Sequence, residues 1–347
     1  MVGLGSDHVT RADVDAVWPS RRVRVQHRSG ALWILNSPAV RELAGYLDAE
    51  ERRTGRVWRS RGQWGAALEE MSLGSELAEI GRELGTWGVT GLTDATPDLD
   101  GPALDAIRAS LPQRVWSLGP GRTHLPRKVV VADHDRNTWD RVHAGVAAAR
   151  AAGRPVALHA VTRTGLALAL AVLEEFGVVR GDRIEHAAVC DDRAADRMAE
   201  LGLVVVTQPS IAARRGAAMV EEVEPEDRPW LWRLRGLVER GVDVVLSSDA
   251  PYGDANPWTS VRLAAVGASG RGSPWVSDQT IEARAALGCY LTAPGDPAGP
   301  ERSVEVDAPA DLCLLDSPLE EALARVVDGR TDAPVRATFI GGVRVGQ

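Results

Sequence analysis

Between residues 87 and 250 the chain alternates short, β-branched apolar runs with longer amphipathic stretches. Seven runs read as strands: 89–93, 114–118, 128–132, 155–159, 183–186, 204–208 and 244–248. The stretches 138–152, 165–176 and 193–201 space their apolar residues by three and four, the period of a helix that buries one face. Gly88, Gly153, Gly177, Gly202 and Gly241 stand just before strands, where a helix must end and the chain turn. Nearly continuous apolar strands separated by helices predict an α/β fold, a parallel sheet covered on both faces.

Two parts leave this rhythm. Residues 19–86 hold the strand-like 22–27 and 33–35 followed by Arg- and Glu-rich helical text, and read as an insertion or cap. Pro294-Gly295-Asp296-Pro297-Ala298-Gly299-Pro300 reads as a linker. Beyond it, 310–315 and 336–345 are short strands, with Gly341-Gly342 as a hairpin turn.

A formal charge of −8 and a pI near 5.5 argue against nucleic acid or an anionic membrane as the main partner. Cys190, Cys289 and Cys313 are isolated and odd in number, which fits a reducing cytoplasm without a disulfide framework. The N-terminal residues carry neither a basic region nor a long apolar run, so no signal peptide is expected, and no membrane span is either. The acidic run 221–227 reads as a solvated loop. Of 11 tryptophans, Trp33, Trp230, Trp232 and Trp258 are candidate pocket or interface aromatics, with core packing the commoner use of such a residue.

Chemistry gathers at strand ends. His159, His186 and Asp249 each close a candidate strand, and C-terminal strand ends of a parallel sheet share one face, where sites are built. Two imidazoles and a carboxylate converging there suit zinc or a similar divalent metal. All but one of the 40 Lys and Arg residues are arginine, and the exception, Lys128, heads the run Val129-Val130-Val131. An amine can lose its proton and take up carbon dioxide as a carbamate, an anionic metal ligand, whereas a guanidinium stays charged. Arg183 and Glu185 flank this chemistry, and strict alternation along the strand puts Glu185 on the face opposite His186, in an ion pair.

The strings His159-Ala160-Val161-Thr162, Arg183-Ile184-Glu185-His186-Ala187, Val206-Thr207-Gln208-Pro209 and Ser248-Asp249-Ala250-Pro251 occur in that order. Together with Val25-Gln26-His27-Arg28-Ser29-Gly30, Gly88-Val89-Thr90-Gly91-Leu92-Thr93-Asp94 and Ala308-Pro309-Ala310-Asp311-Leu312, they resemble the amidohydrolase superfamily, specifically its amidohydrolase-3 (YtcJ-like) metal-dependent hydrolases. The resemblance implies a (β/α)8 TIM-type barrel over 1–295, with 19–86 as its insertion and 301–347 as part of a small β-sandwich domain. It implies one or two divalent ions, zinc first, held by Lys128 (carboxylated), His159, His186 and Asp249. Asp249 would also be the catalytic proton acceptor in hydrolysis of a carbon–nitrogen bond other than a peptide bond. His27, Arg28, Gln208 and Tyr252 are the candidate substrate-binding residues.

The resemblance breaks at one point. Its barrels carry an HxH pair on the first strand, and the seven histidines here, His8, His27, His124, His134, His143, His159 and His186, form no such pair. The residues 2–6 resemble the second strand, so the first is expected to be missing. Three accounts stay open: an upstream segment supplies the strand; the chain is a catalytically silent binding protein; or a one-metal site works without HxH, with His8 or His134 as substitutes. A barrel short of one strand exposes two edges, which makes a homo-oligomer an expectation.

Overall fold

The computed structural model describes residues 9–27, 32–58, 74–121, 124–132, 136–267, 277–297, 299–330 and 332–346. The chain divides into two compact units, Met1–Leu73 and Gly74–Gln347.

In the first unit β1 (Arg24–Gln26), β2 (Leu32–Leu35) and β3 (Arg56–Trp58) form an antiparallel sheet in that order. Its core is Leu35, Ala39, Val40, Leu43, Leu47 and Val57. Asn36 organises the turn out of β2: wholly buried, it donates to Trp18 O and Arg21 O while its carbonyl accepts from Val23 N and Ala39 N, the last capping the helix Ser37–Glu42.

The second unit contains all seven expected strands. β4 (Gly91–Asp94) pairs in parallel with β5 (Arg114–Ser117). β6 (Arg127–Val130), β7 (Val156–Ala160), β8 (Arg183–His186), β9 (Val204–Thr207) and β10 (Asp243–Leu246) form a five-stranded parallel sheet, neighbours in chain order. One backbone bond, Lys128 N to Leu118 O at 2.9 Å, continues the run from the end of β5 to β6. The expected helices follow as Thr138–Ala151, Arg163–Phe176 and Asp192–Glu200, the last two started by side-chain caps from Thr162 and Asp191.

Their apolar faces meet the sheet in one core. Leu158, Leu166, Leu173 and Ile184 are each at most 1% exposed, and burying each stabilises the fold by roughly 1.5–3 kcal/mol. This core is a fixed backing on which the strand ends are held.

The helix Gly74–Thr86 belongs to the second unit, not to the segment before it. There Thr338 Oγ1 donates to Gly85 O at 2.6 Å, and a Cβ on Gly85 would stand 2.9 Å from Gly346 Cα, so only glycine admits the approach. Thr338 lies in β12 (Val335–Ile340), the centre of an antiparallel sheet with β11 (Leu312–Leu315) and β13 (Val343–Val345). Gly341 and Gly342, both at positive φ, make the expected hairpin turn. The acidic run is not a loop: it completes the helix Pro209–Glu222 and enters a 3-10 turn, Pro225–Trp230. No described helix is long and apolar enough to cross a membrane.

Candidate active site

Register decides which side chains share a face. Lys128 lies opposite Ala157, and Ala157 opposite Arg183; one layer higher, Val130 lies opposite His159, and His159 opposite Glu185. Residues directly across neighbouring strands point the same way. Lys128, Arg183, His159 and Glu185 therefore share one face of the sheet. The expectation that Glu185 turns away from this face is corrected: it forms the foreseen ion pair with Arg183, at 2.8 Å and buried, on the same side as Lys128.

His186 reaches the same place by a different route. It is aligned with Ala160, which points away from this face, yet its ring lies 4.5 Å from that of His159, edge to face at 78°. The backbone supplies the reversal: His186 has φ +77° and Ala187 φ +46°, left-handed conformations that L residues seldom adopt. Asp249 is also left-handed, at φ +47°, three residues past β10.

The electrostatics favour neutral imidazoles. Burial, then the fields of His186 and Lys128, hold His159 well below its ordinary pKa, and Glu185 opposes them only in part. Burial, then Lys128, bring His186 down to about 4. Burial also raises the Asp249 carboxyl to about 6, with Lys128 pulling it down and Glu185 pushing it up. For Glu185 burial again acts upward and is the largest effect, but Arg183, Lys128 and His186 together outweigh it and bring the carboxyl to about 2. Lys128 itself is 8% exposed, and its ammonium has no ion-pair partner among the described residues.

A family model described as the Amidohydrolase family matches residues 113–345, about two thirds of the chain. The chain belongs to the Amidohydrolase family. It is 29% identical over 170 residues to an N-substituted formamide deformylase from Arthrobacter pascens, a match that spans 46% of this chain and 30% of that protein. Among solved structures it resembles an uncharacterized metal-dependent hydrolase from Pyrococcus furiosus, with TM-score 0.60, 21% identity, and coverage of 81% of this chain and 68% of that one. It also resembles the ochratoxinase of A. niger, with TM-score 0.52, 18% identity and coverage of 81% and 77%. A mutant atrazine chlorohydrolase from Arthrobacter aurescens TC1, complexed with zinc and atraton, has TM-score 0.53, 14% identity and coverage of 81% and 76%. Likeness at these identities speaks for the fold.

In this amidohydrolase, the β6–β8 candidates Lys128, His159 and His186 come together. Asp249 is near enough for its charge equilibrium to feel Lys128 and Glu185. Among the described residues no three His, Cys, Asp or Glu side chains are close enough together to hold a metal ion.

The four candidate substrate-binding residues fare differently. Gln208 is 1% exposed, and its amide is taken up by protein: Oε1 lies 2.7 Å from His186 Nδ1, and Nε2 donates to Val206 O at 3.0 Å and Ser247 Oγ at 2.9 Å. Tyr252 closes a turn through its N–H to Asp249 O at 2.9 Å and packs against the second core cluster. His27 lies in the first unit, just past β1, where its N–H donates to Leu32 O at 2.8 Å. Arg28, His8 and His134 fall outside the described residues.

Three of the aromatic candidates are structural. Trp232 and Trp258 are buried in the second core cluster, and Trp33 stacks under Arg24, with 4.7 Å from guanidinium to ring.

Proposed function

We propose that this chain is a metal-dependent hydrolase that cleaves a carbon–nitrogen bond other than a peptide bond in a small molecule. The observation that carries the reading is the edge-to-face pair of His159, half-buried, and His186, buried, in surroundings that favour neutral imidazoles, beside a buried lysine that has no ion-pair partner among the described residues. Lys128 lies in the field of the Glu185 carboxylate without a direct ion pair to it, and carbamate formation there would replace that cation with an anion. Two neutral imidazoles fit zinc or a similar divalent ion as donors, and a third would be Lys128 as its carbamate; Asp249 does not gather with the two imidazoles as the chain stands, and its part would be proton transfer. The amide-cleaving relative from Arthrobacter pascens supports the bond class. The seven parallel strands are, in this reading, the continuous part of a (β/α)8 barrel, with β11–β13 as part of its small β domain.

A divalent ion held there supplies Lewis acidity, acidifying water and polarising a carbonyl. The protein's own contribution is proton handling and exclusion of solvent. In the metal-free chain burial raises the Asp249 carboxyl to about 6, and in the loaded site Asp249 would accept a proton and return it to the leaving nitrogen.

One observation favours a second reading, a catalytically silent binding protein: the described residues gather no three conventional ligands. Metal analysis of the purified chain together with a panel of N-substituted formamides and other amides separates the two. Bound zinc, and turnover lost in His159→Ala, supports the hydrolase. A chain that takes up no zinc at micromolar concentration and turns over no member of the panel is the binding protein.

A further inference from the structure

We propose that Gln208 is a positioning residue that fixes the ring tautomer of His186, placing the proton on Nδ1 and the lone pair on Nε2. The inference rests on the metal-site reading for its purpose, though not for its geometry.

The argument is one of donors and acceptors. A glutamine amide offers two N–H groups and one carbonyl, and at ordinary precision its two ends are told apart only by their partners. Here a partner decides. Val206 O is a backbone carbonyl and can only accept, so the amide end 3.0 Å from it is nitrogen. The second N–H points to Ser247 Oγ at 2.9 Å. Oε1 is then the atom 2.7 Å from His186 Nδ1, and because a carbonyl oxygen cannot donate, the proton between them belongs to the imidazole. A neutral imidazole carries one N–H. With it on Nδ1, Nε2 is left as a bare donor of the kind a divalent cation takes.

The anchoring is part of the device. Val206 lies in β9 and Ser247 directly follows β10, where its own N–H donates to Thr207 O at 3.0 Å. A chain of hydrogen bonds thus runs across the ends of three strands, Ser247 to Gln208 to His186. Held at both nitrogen contacts and 1% exposed, the amide has no room to reverse. It also bridges the strand carrying His186 to the one leading to Asp249, so a disturbance at Ser247 reaches the ring through two bonds. The left-handed backbone aims the ring, and Gln208 settles which nitrogen is free. Other side chains do part of this. Glutamate keeps an acceptor for Nδ1 but offers no N–H to Val206 O, methionine matches the length without accepting, and asparagine is one methylene short.

The test uses the full chain labelled with ¹⁵N-histidine, in the presence of a chelator, with long-range ¹H–¹⁵N correlation spectra assigned by His186→Gln. The wild type is expected to show His186 protonated at Nδ1. Gln208→Met is expected to give a mixed or Nε2-protonated ring, and zinc affinity measured by competition with a chromophoric chelator should fall about 10–100-fold. Gln208→Glu should restore the Nδ1 proton and most of the affinity. Should Gln208→Met fail to fold, Ser247→Ala, which frees one anchor of the amide, is expected to shift the ring partway. A wild-type His186 protonated at Nε2, or variants that leave the ring spectrum unchanged, would overturn the proposal. A chain with the expected ring spectrum that binds no zinc would sink the metal reading and leave the positioning role standing.

Discussion

His159 and His186 occupy opposite pleat positions on neighbouring strands, yet their rings meet edge to face at 4.5 Å. The left-handed turn at His186 and Ala187 brings them together, and a β-branched residue tolerates that backbone poorly. Ala187→Val should therefore uncouple the pair, weakening zinc binding by about 10-fold or more, in line with what loss of ligand orientation costs elsewhere. Equilibrium dialysis against zinc checks it; unchanged affinity would mean that the turn is not what orients the ring.

Lys128 gives a sharper test, because charge and chemistry part company there. Lys128→Arg keeps the positive charge but cannot form a carbamate. In the proposed site it should lower zinc content to below about a tenth of the wild-type level, a loss at least as large as removing an ordinary ligand partner. ¹³C-bicarbonate added to the wild type should give a carbamate resonance that Lys128→Arg lacks. Equal zinc content in the two proteins would remove Lys128 from the site.

Much of this arrangement could be read from the residues. The seven strands were legible because each is a β-branched run bounded by glycine or by helical text, and the ends of those runs located Lys128, His159 and His186. The face of Glu185 was not legible. Strict alternation assumes extended backbone through the last strand residue, and His186 departs from it. The partners of Gln208 were hidden for another reason: an amide carries no pattern that says which strand it will bond, and only the register of β8, β9 and β10 places it behind His186. The helix Leu319–Val327 was within reach, since Leu319, Leu323 and Val326 repeat at helical spacing between the strands read at 310–315 and 336–345.

The Arg183–Glu185 pair should behave as a buried pair that is costly to break and cheap to replace. Removing Glu185 leaves the Arg183 cation uncompensated beside Lys128, so Glu185→Leu alone should cost about 3–5 kcal/mol. The double replacement Arg183→Met with Glu185→Leu removes both charges, and its net cost should be small or of the opposite sign. Urea unfolding of the three proteins measures the difference. A double variant as unstable as Glu185→Leu alone would show that the loss does not come from a bared Arg183 charge.

The acid side of the stability profile carries opposing contributions that a single substitution can separate. His186 is at about 4 in the folded chain against an ordinary 6.5, so between those values the unfolded chain binds the proton and the folded one does not. Its stabilising contribution is therefore complete above about pH 6.5 and is lost as pH falls towards 4; His159 acts in the same direction. Asp249 has the other sign. Its folded value of about 6 lies above the ordinary 3.8, so the folded chain holds a proton there that the unfolded chain has released. Ionising Asp249 thus destabilises the fold progressively as pH rises from 4 to 6, by on the order of 3 kcal/mol, before solvent screening of this partly buried group reduces it. Asp249→Asn removes that cost. In the presence of a chelator the variant should be more stable than the wild type at pH 7.5 and equal to it near pH 4, with a steeper fall between. Thermal unfolding across that range decides it, and a variant no more stable at pH 7.5 would place Asp249 in a more polar setting than its burial implies.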